Sequence, residues 1–372
     1  MTDTTSLETF DQEKRIESLE AQLTRLRSDA EYQRRRATAA EKRAVEAERI
    51  REHVFNLTSA PVVSPDWAVE RSQASGAPHV PLLFFSDAQW GEVIDPANMD
   101  GTNSFNVDIA RERYRRLIER TIDISFEHLP KNRYEGIIYL RGGDMVSGDI
   151  HDELRETNEL SAIPATRSLV EVETWGLEQL RSAFGRVHVV SVPGNHGRTT
   201  KKPPSKRIQD NYDILGAWWL QDNFRNDARM SWHTTEGIDA VIDVQGRLLC
   251  ATHGDNIGSR GGEGFIGPAA TIVRGMKKVQ DEYALRGVSI YKVLVGHFHT
   301  AMDLQRGWSN GSLPGYSDYA RGFRMTPEPP IQWLLFFHPK YGATSQWKLV
   351  LERAGSGSSV IREPFANPEE VR

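Results

Sequence analysis

Short apolar runs recur along the middle of the chain, and polar residues follow most of them. The five runs with the clearest pattern cover 80–86, 136–141, 187–192, 247–252 and 289–295. They are rich in Val, Ile, Leu and Phe, and their length predicts strands that are buried on both faces. Three further strands are predicted at 240–244, 332–338 and 346–351.

Between several of these runs, apolar residues recur at spacings of three and four. This period predicts helices that cover 107–128, 165–184 and 268–285. Strands that alternate with helices along a chain indicate an α/β fold. The pattern therefore predicts an α/β domain over residues 80–353.

The first 55 residues show a heptad repeat instead. Gly and Pro are absent from residues 8–53, and charged residues surround the apolar positions. The clearest seam positions are Ile16, Leu19, Leu23, Leu26 and Ala30. We expect residues 1–55 to form a long helix that joins copies of the chain into a homo-oligomer as a coiled coil. The alternative is a helix that folds back on its own domain.

Two segments lack periodicity. Residues 56–79 contain three prolines and one glycine, which predicts either a linker or a segment that wraps the domain. Residues 354–372 are rich in Gly, Ser and Glu, and we expect them to be a mobile tail.

Composition restricts the kinds of partner and the cellular location that can be expected. With 372 residues and 38% apolar content, the chain can bury a large core, and its net charge of −5 gives no global sign of a nucleic-acid binder. A single cysteine, Cys250, excludes an intrachain disulfide. The polar N-terminus does not resemble a signal peptide, and no apolar run approaches the ~20 residues that cross a bilayer. We expect a cytoplasmic protein without a membrane partner.

Five short polar motifs stand at or near the ends of the predicted strands. They are Asp87-Ala88-Gln89, Gly143-Asp144, Gly194-Asn195-His196, His253-Gly254 and Gly296-His297-Phe298-His299. Carboxylates, imidazoles and amide oxygens are ligands for divalent transition metals, and no thiolate cluster indicates a structural zinc. Two such ions can hold a phosphate, activate a water and stabilise the leaving oxygen.

The order of these motifs resembles the calcineurin-like metallophosphoesterases. Their pattern is D-x-H, then GD, then GNH with a following Asp or Glu, then H, and finally GHxH. One motif alone is weak evidence because Gly, Asn and Asp are common in turns, but five in the family order are specific. The resemblance covers the middle two thirds of the chain. It implies a two-sheet β-sandwich flanked by helices, here preceded by the long N-terminal helix.

The resemblance also implies a role for each polar residue. The ligands of two divalent ions would be Asp87, Gln89, Asp144, Asn195, His253, His297 and His299. Asp144 would bridge both ions, and a metal-bound hydroxide would attack the phosphate. His196 would stand just outside the ions and protonate the leaving oxygen, since imidazoles commonly act as general acids.

Two positions depart from the family pattern. Gln89 stands where the family usually has His, and an amide is a poorer zinc ligand than an imidazole. We therefore expect Mn²⁺ first, with Mg²⁺, Fe²⁺, Ni²⁺, Co²⁺ and Zn²⁺ as alternatives; whether Gln89 is a ligand stays open. Gly197 stands where an acid often follows GNH, so the group that orients His196 must come from elsewhere or be absent.

For the substrate, we expect DNA that is cleaved by an endonuclease or nickase. The chain resembles bacterial and phage members more than protein phosphatases, because no Arg follows Gly143-Asp144 as in the GDxxDR phosphate clamp. Candidate phosphate contacts are Arg198, Lys201, Lys202, Lys206, Arg207 and Arg260. The alternatives are a phosphomonoesterase or nucleotide phosphodiesterase, and a catalytically impaired phosphate-binding scaffold.

Overall fold

A computed structural model describes residues 15, 19–20, 22–38, 62, 64–69, 79–129, 133–203, 206–257, 267–322, 324 and 326–352. The chain divides into two compact units, Met1–Ser59 with Leu285–Gly287 and Ala60–Ala284 with Val288–Arg372. In the first unit, residues 22–38 form helix α1, and every described residue of it is exposed. Of the predicted seam, Leu23 and Leu26 are 49% and 69% exposed. The coiled coil stays a prediction.

The second unit contains the strands and the remaining helices. The strands are β1 (Val80–Phe85), β2 (Ile137–Arg141), β3 (Val187–Ser191), β4 (Met230–Thr234), β5 (Asp239–Val244), β6 (Arg247–Thr252), β7 (Lys292–Val295), β8 (Met302–Leu304), β9 (Gly307–Ser309), β10 (Ile331–His338) and β11 (Gly342–Val350). The helices are α2 (Asp66–Val69), α3 (Val107–Asp123), α4 (Asp152–Thr157), α5 (Ala162–Phe184), α6 (Tyr212–Asn223), α7 (Gly267–Leu285) and α8 (Asp318–Gly322), and a π-helix, Ile124–His128, continues α3.

These strands form two mixed sheets. The first has the order β11-β10-β1-β2-β3-β4, in which β1 to β4 run parallel and β10 runs antiparallel to β1. The second has the order β5-β6-β7-β9-β8, in which β6, β7 and β9 run parallel. The two sheets therefore each contribute neighbouring parallel strands whose carboxyl ends lie on one edge.

Three apolar cores hold the layers together. Successive side chains of a strand point to opposite faces, so Phe84 of β1 packs between the sheets while Phe85 packs against the helices. Helices α3 and α5 cover the outer face of the first sheet. Helix α7 covers the outer face of the second sheet, where Ile272 and Met276 join Cys250. The predicted α/β fold with two sheets flanked by helices is confirmed.

The structure adds short elements that the pattern did not predict, namely β4, β8, β9, α2, α4 and α8. Strands β8 and β9 have three residues each, too few for a recognisable period. In β4 only Met230 is fully buried, so no apolar run marks it. The predicted helix at 107–128 ends at Asp123 as an α-helix and continues as the π-helix.

The described residues of the segment before β1 contact strand β5. Val62 forms a bridge with Val241 of β5, and the Asp243 backbone N–H donates to Ser64 Oγ over 2.9 Å. Ala68 is fully buried. Residues 56–61, 63 and 70–78, and the predicted tail 354–372, lie outside the described residues. No helix in the described residues is both long and apolar enough to cross a bilayer.

Candidate metal centre

Each of the five motifs follows a parallel strand. Asp87 follows β1, Asp144 follows β2 and Asn195 follows β3, while His253 and His297 follow β6 and β7 of the other sheet. The carboxyl edges of the two sheets meet here. Asp144 Oδ2 lies 3.0 Å from His253 Nε2. Residues from both sheets thus form one polar cluster, in which Asp87, Asp144 and His253 are at most 1% exposed.

The backbone turns sharply at the motif residues. Nine described residues other than glycine have a positive φ, and five of them belong to the motifs. These five are Asp87, Gln89, Asp144, His297 and His299, with φ between 45° and 65°. Such angles are uncommon for residues with a Cβ and concentrate at functional sites. These turns direct the side chains of the five residues into the cluster.

The motif glycines make room for the carboxylates. A Cβ on Gly194 would lie 2.2 Å from Asp144 Oδ1, and a Cβ on Gly296 would lie 2.4 Å from Asp87 Oδ2. Both distances are far shorter than van der Waals contact. Any other residue at either position would displace the carboxyl group that it now approaches.

Asp144, His253 and His297 can hold one metal ion. One ligand atom from each lies within 4.8 Å of the other two. The Nδ1 of His253 lies 3.0 Å from the Gly142 carbonyl oxygen, so Nδ1–H donates there and Nε2 faces the cluster. Asn195 Oδ1 lies 3.2 Å from this Nε2. The set of carboxylate, imidazole and amide oxygen donors fits a divalent ion.

A second set surrounds Asp87. His299 Nε2 lies 3.3 Å from Asp87 Oδ1, which also accepts the His297 backbone N–H over 2.8 Å. Gln89 Nε2 lies 3.4 Å from Asp144 Oδ2. Gln89 Oε1 is buried, and no donor among the described residues satisfies it. A buried acceptor without a protein partner fits a metal ion in this place.

Opposite charges set the pKa values within the cluster. Burial raises the pKa of Asp144, but the nearby His253 and His196 outweigh it and hold that pKa well below its usual range. Burial lowers the pKa of His253, yet Asp144 raises it to about 10. Burial and the neighbouring His253 lower the pKa of His297 to about 4. Because a ligand imidazole must be neutral, a metal that binds His253 displaces a proton.

His196 lies at the border of the cluster. Its Nδ1 is 2.8 Å from the Ser147 carbonyl oxygen, and its Nε2 is 3.9 Å from Asp144 Oδ2. The Ser147 carbonyl thus orients the His196 ring, a role that the sequence left unassigned. The His151 ring lies beside it, with ring centroids 5.1 Å apart.

The basic segment, residues 198–207, begins at the cluster. Arg198 Nε donates to the Asn195 carbonyl oxygen over 3.0 Å, and its Nη1 lies 3.9 Å from Asp255 Oδ2. Lys201 Nζ forms a 2.5 Å ion pair with Asp152 at the start of α4. The exposed basic residues of the segment are Lys201, Lys202, Lys206 and Arg207. Arg260 lies outside the described residues.

Two acidic residues belong to the site although no motif marks them. Burial raises the pKa of Glu92 to about 7, against the opposing effect of His299 and His196. Asp213, at the start of α6, accepts the backbone N–H of Asp144 over 3.0 Å. Burial and the charge of Asp144 raise the pKa of Asp213 to about 6. Neither residue follows a predicted strand, so sequence pattern offered no signal for them.

Comparison with known proteins adds little beyond this geometry. No family model and no curated protein matches the chain. Among solved structures, it is similar to the crystal structure of a dimetal phosphatase from Danio rerio, LOC 393393, with 8% sequence identity and a TM-score of 0.35. The match covers 73% of this chain and 99% of that one. A likeness of this size assigns neither a family nor an activity.

Proposed function

We propose that this protein is a two-metal-dependent phosphoesterase that hydrolyses phosphodiester bonds of DNA, as an endonuclease or nickase. The observation that carries the proposal is the convergence of two overlapping ligand sets around one buried carboxylate. Asp144 lies 3.0 Å from His253 and 3.4 Å from Gln89, so it faces both sets. Both contacts are made by Oδ2, while Oδ1 accepts the His196 backbone N–H over 2.7 Å, so Asp144 would be the ligand common to both ions.

The residues divide between the two ions as follows. One ion would be held by Asp87, Gln89, Asp144 and His299. The other ion would be held by Asp144, Asn195, His253 and His297. Such ions, of which Mn²⁺ suits this oxygen-rich donor set best, supply Lewis acidity and an activated water when bound. The chain itself holds the ligands at their spacing and buries the carboxylates of Asp87 and Asp144.

His196 supplies the proton for the leaving oxygen. Its Nδ1–H donates to the Ser147 carbonyl oxygen, so Nε2 carries a proton only in the cationic imidazolium, and this second proton is the one that His196 would give to the leaving oxygen. Nε2 lies 3.9 Å from Asp144 Oδ2, beyond hydrogen-bond distance. The proton is therefore available to a substrate oxygen between the imidazole and the cluster.

The basic segment supports a polymeric phosphate substrate. Its members Lys202, Lys206 and Arg207 are exposed, and Arg198 anchors the segment at Asn195. When one phosphate of a DNA strand lies in the cluster, the neighbouring phosphates would lie beside these basic residues. A homo-oligomer joined through α1 would place two such sites along one duplex.

One observation favours a smaller substrate. Two cations of the segment already face acids, since Lys201 pairs with Asp152 and Arg198 lies 3.9 Å from Asp255. Part of the positive charge is thus neutralised within the chain. The second candidate function is therefore a phosphomonoesterase or a nucleotide phosphodiesterase.

A parallel assay separates these functions. Purified protein with Mn²⁺ is incubated with supercoiled plasmid, linear duplex DNA, bis(4-nitrophenyl) phosphate and 4-nitrophenyl phosphate. We expect relaxation or linearisation of the plasmid and hydrolysis of the aryl diester. Turnover of an aryl phosphate without any DNA cleavage supports the second candidate. Bound Mn²⁺ without turnover of any substrate supports a phosphate-binding scaffold.

A further inference from the structure

Asp213 joins the two loops that carry Asp144 and Asn195. Its Oδ2 accepts the backbone N–H of Asp144 over 3.0 Å and that of Gly194 over 2.8 Å, and its Oδ1 accepts the N–H of Met145 over 3.0 Å. One carboxylate oxygen thus receives donors from both loops. The Asp213 side chain is 1% exposed. Buried hydrogen bonds to a charged acceptor are stronger than neutral ones, so they fix the spacing of the loops.

The start of α6 holds this carboxylate in place. Asn211 caps the helix, and its Oδ1 accepts the Asp213 backbone N–H over 2.8 Å. Its Nδ2 donates to the Gly194 carbonyl oxygen over 2.9 Å. Arg141 of β2, which is buried, donates to the Asp213 carbonyl oxygen over 2.9 Å. Asp213 therefore cannot shift without a movement of α6 or of the strand that leads to Asp144.

Gly197 is the position where an acid would extend the GNH motif. A Cβ at this position would lie 2.3 Å from Asn211 Oδ1 and 2.8 Å from Asp213 Cγ. A side chain at 197 and the Asn211–Asp213 pair thus compete for the same space. In this chain the acid in that space comes from helix α6.

We propose that Asp213 is a positioning residue that holds Asp144 and Asn195 at the spacing their metal ions require, in the space that a side chain at position 197 would otherwise fill. The inference rests on the proposed metal centre but not on any particular substrate. Among the described residues, the hydrogen bonds of the Asp213 carboxylate come from backbone N–H groups, so it acts on the metals through Asp144 and Asn195. Changes to groups that orient metal ligands typically weaken metal affinity about 10- to 100-fold.

Substitution by Asn isolates the carboxylate. An amide of the same shape has one acceptor oxygen, whereas three backbone N–H groups require both carboxylate oxygens. In Asp213→Asn the NH2 group replaces one of the two acceptors and faces at least one backbone N–H, so at least one hydrogen bond is lost and two donors oppose each other. The matched control is Asp227→Asn, because Asp227 also accepts a backbone N–H, from Arg229 over 3.0 Å. Asp227 precedes β4, at the amino edge of the sheet, and pairs with Arg181 and Arg229.

The experiment measures Mn²⁺ binding to the full chain by titration calorimetry, without substrate, and the melting temperature of the same samples in chelator. We expect Asp213→Asn to raise the Kd for Mn²⁺ by about 10- to 100-fold. We expect Asp227→Asn to lower the melting temperature without a change in Kd. A Kd for Asp213→Asn within twofold of the wild type overturns the proposal, and so does an equal rise in both variants.

A second pair of variants keeps the test valid if Asp213→Asn does not fold. Gly197→Ala inserts a methyl group against Asn211 and Asp213, whereas a Cβ on Gly237 meets nothing within 4 Å. Gly197→Ala should raise the Kd for Mn²⁺ and Gly237→Ala should not; equal Kd values overturn the proposal. These experiments measure Mn²⁺ binding and not activity. If the wild type binds Mn²⁺ but cleaves no phosphodiester, the proposed function is refuted, while the role of Asp213 can still be measured.

Discussion

The basic segment offers a quantitative test of the DNA substrate. Each lysine that contacts a phosphate steepens the slope of log affinity against log salt by about 0.9 on duplex DNA. The triple variant Lys201→Ala, Lys202→Ala and Lys206→Ala removes two or three such contacts. Lys201 forms a 2.5 Å ion pair with Asp152, so it contacts DNA only when that pair opens. The slope should therefore become shallower by about 1.8 if Lys201 stays paired and by about 2.7 if it does not.

These slopes convert into a measurable ratio. Between 50 and 200 mM salt, a slope difference of about 1.8 to 2.7 corresponds to about 12- to 40-fold. Over that range the wild type should lose about 12- to 40-fold more of its kcat/KM on duplex DNA than the triple variant does. Hydrolysis of bis(4-nitrophenyl) phosphate should be unchanged, because a small diester reaches only the metal centre.

A single substitution at Asp152 tests the same reasoning with the opposite sign. Asp152→Asn releases Lys201, so the salt slope on DNA should steepen by up to about 0.9. The control for the triple variant replaces Lys277, Lys278 and Lys340 with Ala. Lys277 is also ion-paired, with Asp281 on α7, so the control matches the number of lysines and the pairing.

Two outcomes refute the reasoning. Equal losses on duplex DNA and on the small diester would mean that the lysines support the metal centre and not a phosphate track. An equal change of slope in the control variant would mean that total charge and not the basic segment sets the salt dependence. Either result would favour the phosphomonoesterase or nucleotide phosphodiesterase.

Three further predictions concern the metals and the assembly. Asp144→Ala or His253→Ala should lower turnover at least about a thousand-fold, which is equivalent to about 4 kcal/mol in the activation free energy. The circular dichroism spectrum should be unchanged, and near-normal turnover would contradict the ligand assignment. Gln89→His should tighten Zn²⁺ binding relative to Mn²⁺ in competition titrations, and unchanged preference would place Gln89 outside the ligands. Deletion of residues 1–55 should lower the number of protomers per particle in light scattering while the remaining domain stays folded; an unchanged number contradicts the coiled coil.

The buried strands and the position of the polar cluster followed from local pattern, whereas the arrangement in two sheets was expected from the family resemblance. Strand β1 is six consecutive apolar residues, all buried, and the polar Asp87 comes two positions after its last residue. A continuous apolar run identifies a strand covered on both faces, since alternation is lost when neither face meets water. Parallel strands then bring their carboxyl ends to one edge, so motif residues far apart in sequence can be expected to lie together.

Other features depended on which elements become neighbours in space. Strand β4 has one fully buried residue and exists because β3 supplies its hydrogen bonds. The pairing of Lys201 with Asp152 joins positions 49 residues apart and decides how much charge the basic segment offers. Neither residue type nor spacing along the chain encodes such a contact.

Asp213 shows the difference most clearly. Its partners are backbone N–H groups as far as 69 residues away, and every residue except proline carries such a group. A sequence therefore shows which side chain can accept a hydrogen bond, but it does not show which backbone N–H groups donate to that side chain. The motifs determined which residues can bind metal, because ligand chemistry belongs to the side chain itself. The packing of α6 against the ends of β2 and β3 decided what holds those residues in place, because that depends on the relative position of whole elements.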